Sequence, residues 1–518
     1  MIPMSLARIA EIVGGTLHDV HDPDTMVTGT VEFDSRKVTA GGLFLALPGA
    51  RVDGHDHAAA AVASGAVAVL AARPVGVPAI VVAPLPPAQT NAMALEHDTD
   101  GSGAAVLKAL AALARASTDD LAAQGLTVVG VTGSSGKTST KDLLAAVLSP
   151  LGSVVAPPGS FNNELGHPWT ALRADADTDF LVLELSARGI GHVAALAETA
   201  PPRIGVILNV GTAHLGEFGS RDAIAQAKGE LAEALPAAAD GGVAVLNADD
   251  PLVAAMATRT RARVVLVGQS ERADVRAVDV RLDAEARPAF TLQCRYPVGS
   301  AHEGDIATVR VQLGVHGEHQ VGNALAAAAV ALECGATVGQ IAAALGAATA
   351  ASVRRMDVRH RDDGVTVIND SYNANPDSMR AALKALVTMS RSGPAPRRTW
   401  AVLGEMAELG PESVIEHDAI GRLAVRLDVS RLIVVGTGRP SRAMHQGAVM
   451  EGSWGEESIL VPDQAAAIAV LEAELAGDDI VLVKASQSVG LWAVADTLLA
   501  GTRADHGGEQ RTSTEEDQ

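Results

Sequence analysis

The chain has 518 residues, which is too long for one hydrophobic core and predicts about three domains. A formal net charge of -21 and an aromatic content of 2% argue against a broad nucleic-acid surface or a base-stacking platform. The two cysteines are too few for a disulfide framework, the longest uncharged apolar run is shorter than the ~20 residues that span a bilayer, and no signal peptide is recognisable, so a cytoplasmic protein is expected.

Short strands and alanine-rich helices are predicted to alternate at the start of the chain, forming an N-terminal α/β domain over residues 1–100. The pattern predicts a helix in SLARIAEIVGG, strands in TVEFDSRKV and GGLFLAL, a helix in HAAAAVASGAVAV and a strand in AIVVA. The polar, proline-containing residues 84–103 predict a linker or an insertion at the end of this domain.

Two further α/β domains are predicted downstream. The helix-like AAVLKALAALARA and the apolar strands LTVVGVT, FLVLELS, RIGVILNV and VAVLNAD indicate a parallel sheet within residues 101–351. The strand patterns GVTVINDS, WAVLGEM, RLIVVGTG and DIVLVKAS indicate a Rossmann-like domain over residues 352–502. The charged tail, residues 503–518, lacks an apolar period and is expected to be disordered.

The segment GVTGSSGKTST, residues 130–140, is the most specific motif because it joins an apolar strand to a helix. It departs from the usual G-x-x-x-x-G-K-[ST] pattern, since Val131 stands where that pattern has its first glycine. Glycines in this loop still allow backbone N–H groups to converge on a phosphate at the positive end of the helix. An ordinary turn is the alternative, and we favour an ATP phosphate loop made of Gly133, Ser134, Ser135, Gly136, Lys137, Thr138 and Ser139.

The pattern T-G-x-x-G-K-T-[ST] resembles the ATP loop of the Mur ligases and the folylpolyglutamate synthetases, which are ATP-dependent amide-forming enzymes. Further segments resemble Mur ligases in the family's order: SFNNELGHPWTAL, ILNVGTAHLGEFGS, AKGEL, NDSYNANPDSMRAAL and LGEMAELG. The N-terminal DSRKVTAGGLFLALPGARVDGHD resembles the family's uridine diphosphate domain. This resemblance extends from about residue 5 to residue 500 and implies an α/β protein with three domains.

The resemblance implies that ATP phosphorylates a substrate carboxylate and that an amine then attacks the acyl phosphate. The segment DSYNAN, together with the absence of a DNPR signature, favours addition of D-alanyl-D-alanine to UDP-N-acetylmuramoyl-tripeptide. A monomeric enzyme is expected. The alternatives are a sister ligase that adds the third amino acid, a folylpolyglutamate-type ligase, a P-loop kinase or GTPase, and an inactive ATP-binding scaffold. The chain has no N-K-x-D guanine motif, which argues against the GTPase.

The resemblance also implies a catalytic centre with ATP and two Mg²⁺ ions. Glu184 ends the strand FLVLELS and resembles a magnesium ligand, and His214 resembles the second protein ligand. Lys228, in AKGEL, resembles a lysine that reacts with CO₂ to form an N-carbamate, which requires a lowered pKa. The alternatives are a buried structural acid, a structural histidine and an exposed helical lysine. Lysine is rare here, at seven residues against 33 arginines, so each one is of interest.

The remaining candidates flank the phosphate loop in the sequence. His319 and Asn323 lie four residues apart and are expected to share one helix face near the adenine. Arg355, or its neighbour Arg354, resembles an arginine that reaches the γ-phosphate, and Asp370 ends a strand on the ATP side. Substrate contacts are implied for Ser35, Arg36, Asn162, Asn163, Arg188, Asn373 and Asn375.

Overall fold

The computed structural model describes residues 1–49, 52–86, 95–212, 215–295, 305–393, 395–452 and 456–500. It contains three large sheets covered by helices, which confirms the predicted α/β class. Within these ranges, none of the helices has the length and apolar character needed to cross a membrane.

The first sheet has five strands in the order β2-β7-β6-β5-β4, and only the β2–β7 pair is antiparallel. The two short strands β1 and β3 pair separately. The elements of this region are β1 (Met4–Ser5), α1 (Leu6–Val13), β2 (Thr16–His18), β3 (Met26–Val27), β4 (Val31–Glu32), β5 (Gly42–Leu45), α2 (Ala58–Ala63), β6 (Ala66–Ala71) and β7 (Ala79–Val81).

Two predictions in this region are wrong. The helix predicted through HAAAAVASGAVAV ends at Ala63, because Gly65 adopts a φ of +118° and the following apolar run suits a strand that is buried in a parallel sheet. The strand predicted through TVEFDSRKV ends at Glu32, because the Asp34 carboxylate accepts hydrogen bonds from the backbone N and the Nε of Arg36 and turns the chain.

The second sheet has nine strands in the order β16-β15-β14-β13-β12-β11-β8-β10-β9. Its elements are α3 (Ser102–Ala122), β8 (Thr127–Thr132), α4 (Lys137–Leu148), β9 (Val154–Val155), α5 (Gly166–Ala171), β10 (Phe180–Glu184), α6 (His192–Thr199), β11 (Ile204–Ile207), α7 (Leu215–Phe218), α8 (Arg221–Ala234), β12 (Val243–Asn247), α9 (Pro251–Ala254), β13 (Arg263–Gly268), β14 (Val275–Leu282), β15 (Pro288–Arg295), β16 (Ile306–Gln312), α10 (Gln320–Glu333) and α11 (Val338–Ala347). The four strands predicted here are confirmed as β8, β10, β11 and β12, whereas β13 to β16 have no counterpart in the sequence-based prediction.

The register of this sheet determines where functional side chains can meet. Glu184 at the end of β10 pairs with Val131, and Ile207 at the end of β11 pairs with Thr132, so β8, β10 and β11 end at one edge. Loops that follow the carboxyl ends of parallel strands form the usual ligand site of such sheets. The segment 133–136 lies at this edge.

The third sheet has six strands in the order β17-β18-β22-β19-β20-β21, in which only β17 is antiparallel. Its elements are β17 (Asp357–His360), β18 (Thr366–Asn369), α12 (Pro376–Ser390), β19 (Thr399–Leu403), α13 (Ser413–Arg426), β20 (Arg431–Val435), α14 (Arg439–Glu451), β21 (Ser458–Val461), α15 (Gln464–Glu474), β22 (Ile480–Lys484) and α16 (Trp492–Ala500). The four strands predicted in this region are confirmed as β18, β19, β20 and β22.

The described residues form two compact units. One comprises Met1–Val280, Ala289–Gly314 and Gln320–Ser352, and the other comprises Arg281–Pro288, Val315–His319 and the described residues from 353 onward. In the first unit, one hydrophobic core joins the first sheet, α3 and the second sheet. The domain boundaries at residues 100 and 351 therefore stay predictions. Residues 87–94 of the predicted insertion and the predicted disordered tail lie outside the described residues.

Candidate active site

The phosphate loop connects β8 to α4 with glycine at its tightest point. Gly136 adopts a φ of +83°, and a Cβ atom at this position would stand 2.6 Å from Oδ1 of Asn323. Both the backbone conformation and this contact require glycine. Asn323, on α10, therefore packs directly against the loop.

Asn209, two residues after the end of the neighbouring strand β11, holds the loop. Its Oδ1 accepts a hydrogen bond from the Ser135 backbone N at 2.9 Å, and its Nδ2 donates to the Ser135 carbonyl at 3.1 Å. The Asn209 carbonyl also accepts from the Ser134 backbone N at 3.1 Å. Sequence analysis did not select Asn209, although it lies in the segment ILNVGTAH, which carried the resemblance.

The side chains that begin α4 face this loop and the adjoining strand. Lys137 Nζ donates to the Gly133 carbonyl at 2.7 Å, so the cation lies over the loop. Thr138 is buried, and its hydroxyl donates to Oε2 of Glu184 at 3.2 Å. Ser139 lies one residue further along α4 and is half-buried.

Glu184 is the central acid of this cluster. It is completely buried, and its Oε2 also accepts from Asn162 Nδ2 at 3.4 Å. Its Oε1 is buried and has no hydrogen-bond partner among the described residues. A buried carboxylate oxygen without a donor, next to a threonine hydroxyl and a phosphate loop, fits a hard cation such as Mg²⁺.

The second predicted metal ligand, His214, lies outside the described residues. Within the described ranges, no group of three or more His, Cys, Asp or Glu side chains has an arrangement that could hold a metal ion. The cation would therefore need ligands beyond these side chains, such as Thr138 and nucleotide oxygens.

Lys228 is buried on α8, with 3% of its surface exposed, so the alternative of an exposed helical lysine is wrong. Burial lowers its pKa well below the ordinary value, and the nearby Lys137 cation lowers the pKa further. Both causes disfavour the ammonium form, and a neutral amine is the form that reacts with CO₂.

His167 is a second buried base that sequence analysis missed. It is fully buried on α5, and burial lowers its pKa to about 4, so the ring is neutral at pH 7. Its Nδ1 lies 3.2 Å from the backbone carbonyl of Glu184, which can only accept, so Nδ1 carries the proton. His167 thus supports the strand end that presents the acid.

The two predicted asparagines of FNNELG have different surroundings. Asn162 joins the Glu184 cluster and donates to Ser160 Oγ at 2.9 Å. Asn163 accepts from the backbone N of Gly166 at 2.9 Å, so its side-chain oxygen serves the start of α5.

An aromatic cluster joins this asparagine segment to the predicted uridine diphosphate region. Phe33, Phe161 and Trp169 pack with ring centroids 4.8 to 6.5 Å apart, and Trp169 Nε1 donates to the Val31 carbonyl at 2.9 Å. These contacts connect the turn after β4 with the loop that carries Asn162.

The predicted substrate residues of the first sheet lie in that turn. Ser35 is half-buried, and the Arg36 side chain is 86% exposed. Arg36 pairs with Asp34 at 2.9 Å, and its hydrogen bonds lower the pKa of that carboxyl to about 2. Arg188, in the second sheet's region, is mostly buried, with Nη1 4.0 Å from Oε1 of Glu217.

Four predicted site residues lie in the region of the third sheet, and two of them, Asp370 and Asn373, contact the buried Lys484. Asp370 Oδ2 accepts a hydrogen bond from Lys484 Nζ at 2.6 Å. Arg355 stacks on Tyr372 at 4.4 Å, and its Nε is buried without a hydrogen-bond partner in the described part of the chain.

The two arginines that sequence analysis left as alternatives differ in their contacts. Arg354 stacks on Trp492 at 4.6 Å and pairs with Asp496 at 3.6 Å, so its side chain has a structural use. The unpartnered Nε of Arg355 makes Arg355 the better candidate for a ligand contact.

The asparagines after Asp370 are also placed differently from each other. Asn373 is exposed, and its Oδ1 accepts from the Ala374 backbone N at 2.8 Å. Asn375 caps α12, because its Oδ1 accepts from the Ser378 backbone N at 2.9 Å. Asn373 is therefore the more accessible of the two.

The prediction that His319 and Asn323 share one helix face is wrong. The helix α10 begins at Gln320, so only Asn323 belongs to it, and His319 is an exposed residue of the preceding turn. The two residues also belong to different compact units. A spacing of four residues places two side chains on one helix face only when both residues are helical, and α10 begins one residue after His319.

The parallel sheet and the loop between β8 and α4 define a phosphate-loop nucleotide-binding protein. Three family models match the chain: Mur ligase family, catalytic domain, over residues 29–118; Mur ligase middle domain, over residues 131–331; and Mur ligase, glutamate ligase domain, over residues 354–487. The chain belongs to the Mur ligase family, and the resemblance predicted from its motifs is confirmed.

Relatives with one shared name cover almost the whole chain. The UDP-N-acetylmuramoyl-tripeptide--D-alanyl-D-alanine ligase of Mycobacterium tuberculosis strain H37Rv is 63% identical over 514 residues, covering 96% of this chain and 98% of the relative. The protein of the same name from Escherichia coli K12 is 34% identical over 440 residues, covering 84% and 86%.

Two solved structures have the same three-domain architecture. MurF from Acinetobacter baumannii superposes with a TM-score of 0.79 at 28% identity, covering 96% of this chain and 99% of that one. MurF ligase from Thermotoga maritima in complex with ADP gives 0.72 at 28% identity, covering 92% and 99%. The predicted three-domain α/β fold is confirmed.

Proposed function

We propose that this chain is an ATP-dependent amide ligase that joins D-alanyl-D-alanine to UDP-N-acetylmuramoyl-tripeptide. The product is the pentapeptide nucleotide from which peptidoglycan is built. The single strongest observation is the 63% identity, over 96% of the chain, to a ligase that carries this activity in its name. The preserved phosphate loop supports the same activity, because a scaffold protein has no need of Lys137 and Glu184 in this arrangement.

ATP is the nucleotide substrate, and the loop between β8 and α4 binds its phosphates. The start of α4 offers backbone N–H donors and a positive helix end. Lys137 adds a point charge, and Asn323 supports the glycine that shapes the loop. We further propose that Arg355 and Asp370 meet ATP, on the strength of the family resemblance and the unpartnered Nε of Arg355.

Magnesium would be held by Glu184 and Thr138, with His214 as a further ligand implied by the family resemblance. When bound, the metal would neutralise charge on the phosphate oxygens. The unpartnered Oε1 of Glu184 supports this proposal.

Lys228 is proposed to become an N-carbamate, in which the neutral amine bonds to the carbon of CO₂ and releases one proton. Its complete burial and lowered pKa supply the neutral amine. We expect Lys228→Ala to lose activity and to regain part of it with small carboxylates, because they replace the missing anionic oxygens. Full activity without any additive would contradict this role.

The reaction proposed for the site has two balanced steps. A carboxylate oxygen of the tripeptide nucleotide attacks the γ-phosphorus of ATP, which forms an acyl phosphate and releases ADP. The amine of the dipeptide then attacks the acyl carbon, inorganic phosphate leaves, and the amine loses a proton. Oriented cations and amides stabilise the anionic species on this path. Substrate contacts are proposed for Ser35, Arg36, Asn162, Asn163, Arg188, Asn373 and Asn375.

A monomeric enzyme in the cytoplasm is proposed in addition. The nucleotide substrates are cytoplasmic metabolites, which supports the location. Light scattering behind size exclusion tests the monomer, since a mass near twice the 52.7 kDa of one chain would contradict it. Cell fractionation tests the location.

The decisive experiment measures phosphate release from ATP and Mg²⁺ with the tripeptide nucleotide and different amine substrates. We expect turnover with D-alanyl-D-alanine and none with single amino acids. Turnover with the dipeptide nucleotide and a diamino acid instead would identify the sister activity. ATP binding without any turnover would identify an inactive scaffold.

A further inference from the structure

Lys484 is a buried cation at the carboxyl end of β22, in the middle of the third sheet. Only 2% of the residue is exposed, and its Nζ donates to Asp370 Oδ2 at 2.6 Å and to the Asn373 carbonyl at 2.9 Å. The Asp370 carbonyl lies 3.4 Å from the same nitrogen. An ammonium group has three donors, and here all three face the segment that follows β18.

The Lys484–Asp370 pair also connects two segments that carry candidate ligand residues. Asp370 Oδ1 accepts from the Met356 backbone N at 3.1 Å, and the Tyr372 backbone N donates to the Arg354 carbonyl at 3.1 Å. Arg355 lies between these anchored residues and stacks on Tyr372. The ion pair and these contacts together connect residues 354–356 with residues 370–373.

Ser486 adds a third segment to the same strand end. Its backbone N donates to the Glu405 carbonyl at 3.0 Å, and its hydroxyl accepts from the Ala407 backbone N at 2.9 Å. The loop after β19 is thus anchored two residues beyond Lys484. The end of β22 therefore anchors both the segment that carries the exposed Asn373 and the loop after β19.

We propose that Lys484 is a positioning residue of the ligase reaction, which fixes the Asp370–Asn375 segment for binding of the incoming dipeptide. This inference rests on the proposed function. A buried ion pair is weak support for stability, because desolvation cancels much of the attraction. What this pair supplies is geometry, since a cation is needed to draw one carboxylate and two backbone carbonyls to a single point.

The test separates positioning from stability with four proteins: wild type, Lys484→Met, Asp370→Asn and the double variant. Each single variant leaves one buried charge without its partner and is expected to lower the melting temperature. The double variant removes both charges and is expected to regain most of that loss. The KM for D-alanyl-D-alanine is measured for all four, beside the KM for ATP.

A matched control exists at the opposite end of the same strand. Asp479 directly precedes β22, is 3% exposed, and pairs with Arg398 at 2.6 Å. The double variant Arg398→Met/Asp479→Asn removes an ion pair at the amino edge of the sheet, in which the carboxylate is buried and the arginine side chain is 39% exposed. We expect its KM for the dipeptide to stay within about twofold of wild type, whatever its melting temperature.

If Lys484 positions the segment, the KM for the dipeptide stays raised by about fivefold or more in the recovered double variant Lys484→Met/Asp370→Asn. If KM returns to the wild-type value together with the melting temperature, the role is only structural and the proposal is overturned. Should the double variant fail to fold, Lys484→Arg, which keeps the charge, must raise the same KM, and an unchanged KM there overturns the proposal. Failure of the proposed function is distinct, because the wild type itself would then show no turnover with the dipeptide.

Discussion

Glu184 and Asp370 lie at strand ends in two different sheets, and their carboxylates differ in the partners that the chain supplies. Glu184 closes β10 with one oxygen that has no hydrogen-bond donor in the described structure. Asp370 follows β18 and has the ammonium of Lys484 at 2.6 Å. The first acid has one oxygen open to the magnesium ion proposed above, whereas the second meets a cation that the chain itself supplies.

This difference shows that an acid at the carboxyl edge of a sheet does not by itself define a metal site. In both sheets, side chains that are proposed to bind ligands lie at the carboxyl edge. A metal site is proposed where one carboxylate oxygen lacks a protein donor, as Oε1 of Glu184 does, whereas the two oxygens of Asp370 meet the Met356 backbone N and the Lys484 ammonium and so support the chain. Sequence analysis assigned Glu184 to magnesium and Asp370 to ATP, but the pattern of an acid at a strand end did not show this difference in hydrogen-bond partners.

The largest effect on the free energy of unfolding is expected from replacing Asp370, which is the counter-charge of the buried Lys484. Asp370→Asn leaves the Lys484 ammonium buried without an anion, which is expected to lower the free energy of unfolding by about 3–5 kcal/mol. Urea unfolding of both proteins measures the change. A loss well under 1 kcal/mol would mean that solvent, and not Asp370, compensates Lys484.

The matching substitution in the other sheet is expected to affect catalysis and not stability. Glu184→Gln removes the anionic oxygens proposed for magnesium, so kcat is expected to fall by about 10²–10³-fold, or roughly 3–4 kcal/mol. The free energy of unfolding is expected to stay the same or to rise, because a buried charge is removed. Phosphate release under saturating ATP and Mg²⁺ measures the effect, and wild-type turnover would contradict the metal role.

The free energy of unfolding is expected to fall in acid because of His167, which hydrogen-bonds to the backbone carbonyl of Glu184. Burial lowers the pKa of His167 from its ordinary value near 6.5 to about 4, so the unfolded chain takes up a proton before the folded chain does. The stability difference is fully present above pH 6.5 and is lost as the pH falls towards 4, by about 3 kcal/mol in total.

Comparison with His167→Gln isolates this contribution, because other titrating groups are common to both proteins. As the pH falls from 6.5 to about 4, the unfolding free energy of the wild type is expected to decline more steeply than that of His167→Gln. Parallel pH profiles for the two proteins would show that His167 is not the titrating group.

The smallest effect is expected for Asn209, whose side chain hydrogen-bonds to the phosphate loop. Asn209→Ala removes the side-chain hydrogen bonds to Ser135, which is expected to cost about 1–2 kcal/mol and raise the KM for ATP roughly tenfold. Asn247→Ala is the matched control, since Asn247 Nδ2 donates to the adjacent Leu208 carbonyl at 2.8 Å but does not contact the loop. Equal KM values in both variants would reject a specific role for Asn209.

The sequence predicted the phosphate loop and the central strands of the second and third sheets because these depend on local rules. Apolar runs predict buried parallel strands, and glycines before a lysine at a strand-to-helix junction predict a phosphate site. The helix predicted across Gly65 failed for the same local reason, since an alanine-rich run suits either a helix or a buried strand, and only pairing with β5 and β7 decides.

The supporting residues could not be predicted, because their roles depend on contacts between distant segments. Lys484 is 114 residues from Asp370, and Asn209 is 74 residues from Ser135. A usable signal did exist for Lys484, which is one of only seven lysines and ends a buried strand. His167 had no such signal, as its burial and neutral ring follow only from packing.

The core shared by α3 and the first two sheets has a consequence for cutting the chain into pieces. Leu70 and Ile80 of the first sheet and Leu181 of the second belong to the same buried cluster as Leu110 of α3. A fragment that ends at residue 100 would lose α3 and expose one face of its sheet to water, whereas a fragment that ends at Ser352 would keep that face covered. The smallest separately expressible piece from the amino terminus is therefore expected to include both sheets, and the first sheet is not expected to be an exchangeable module.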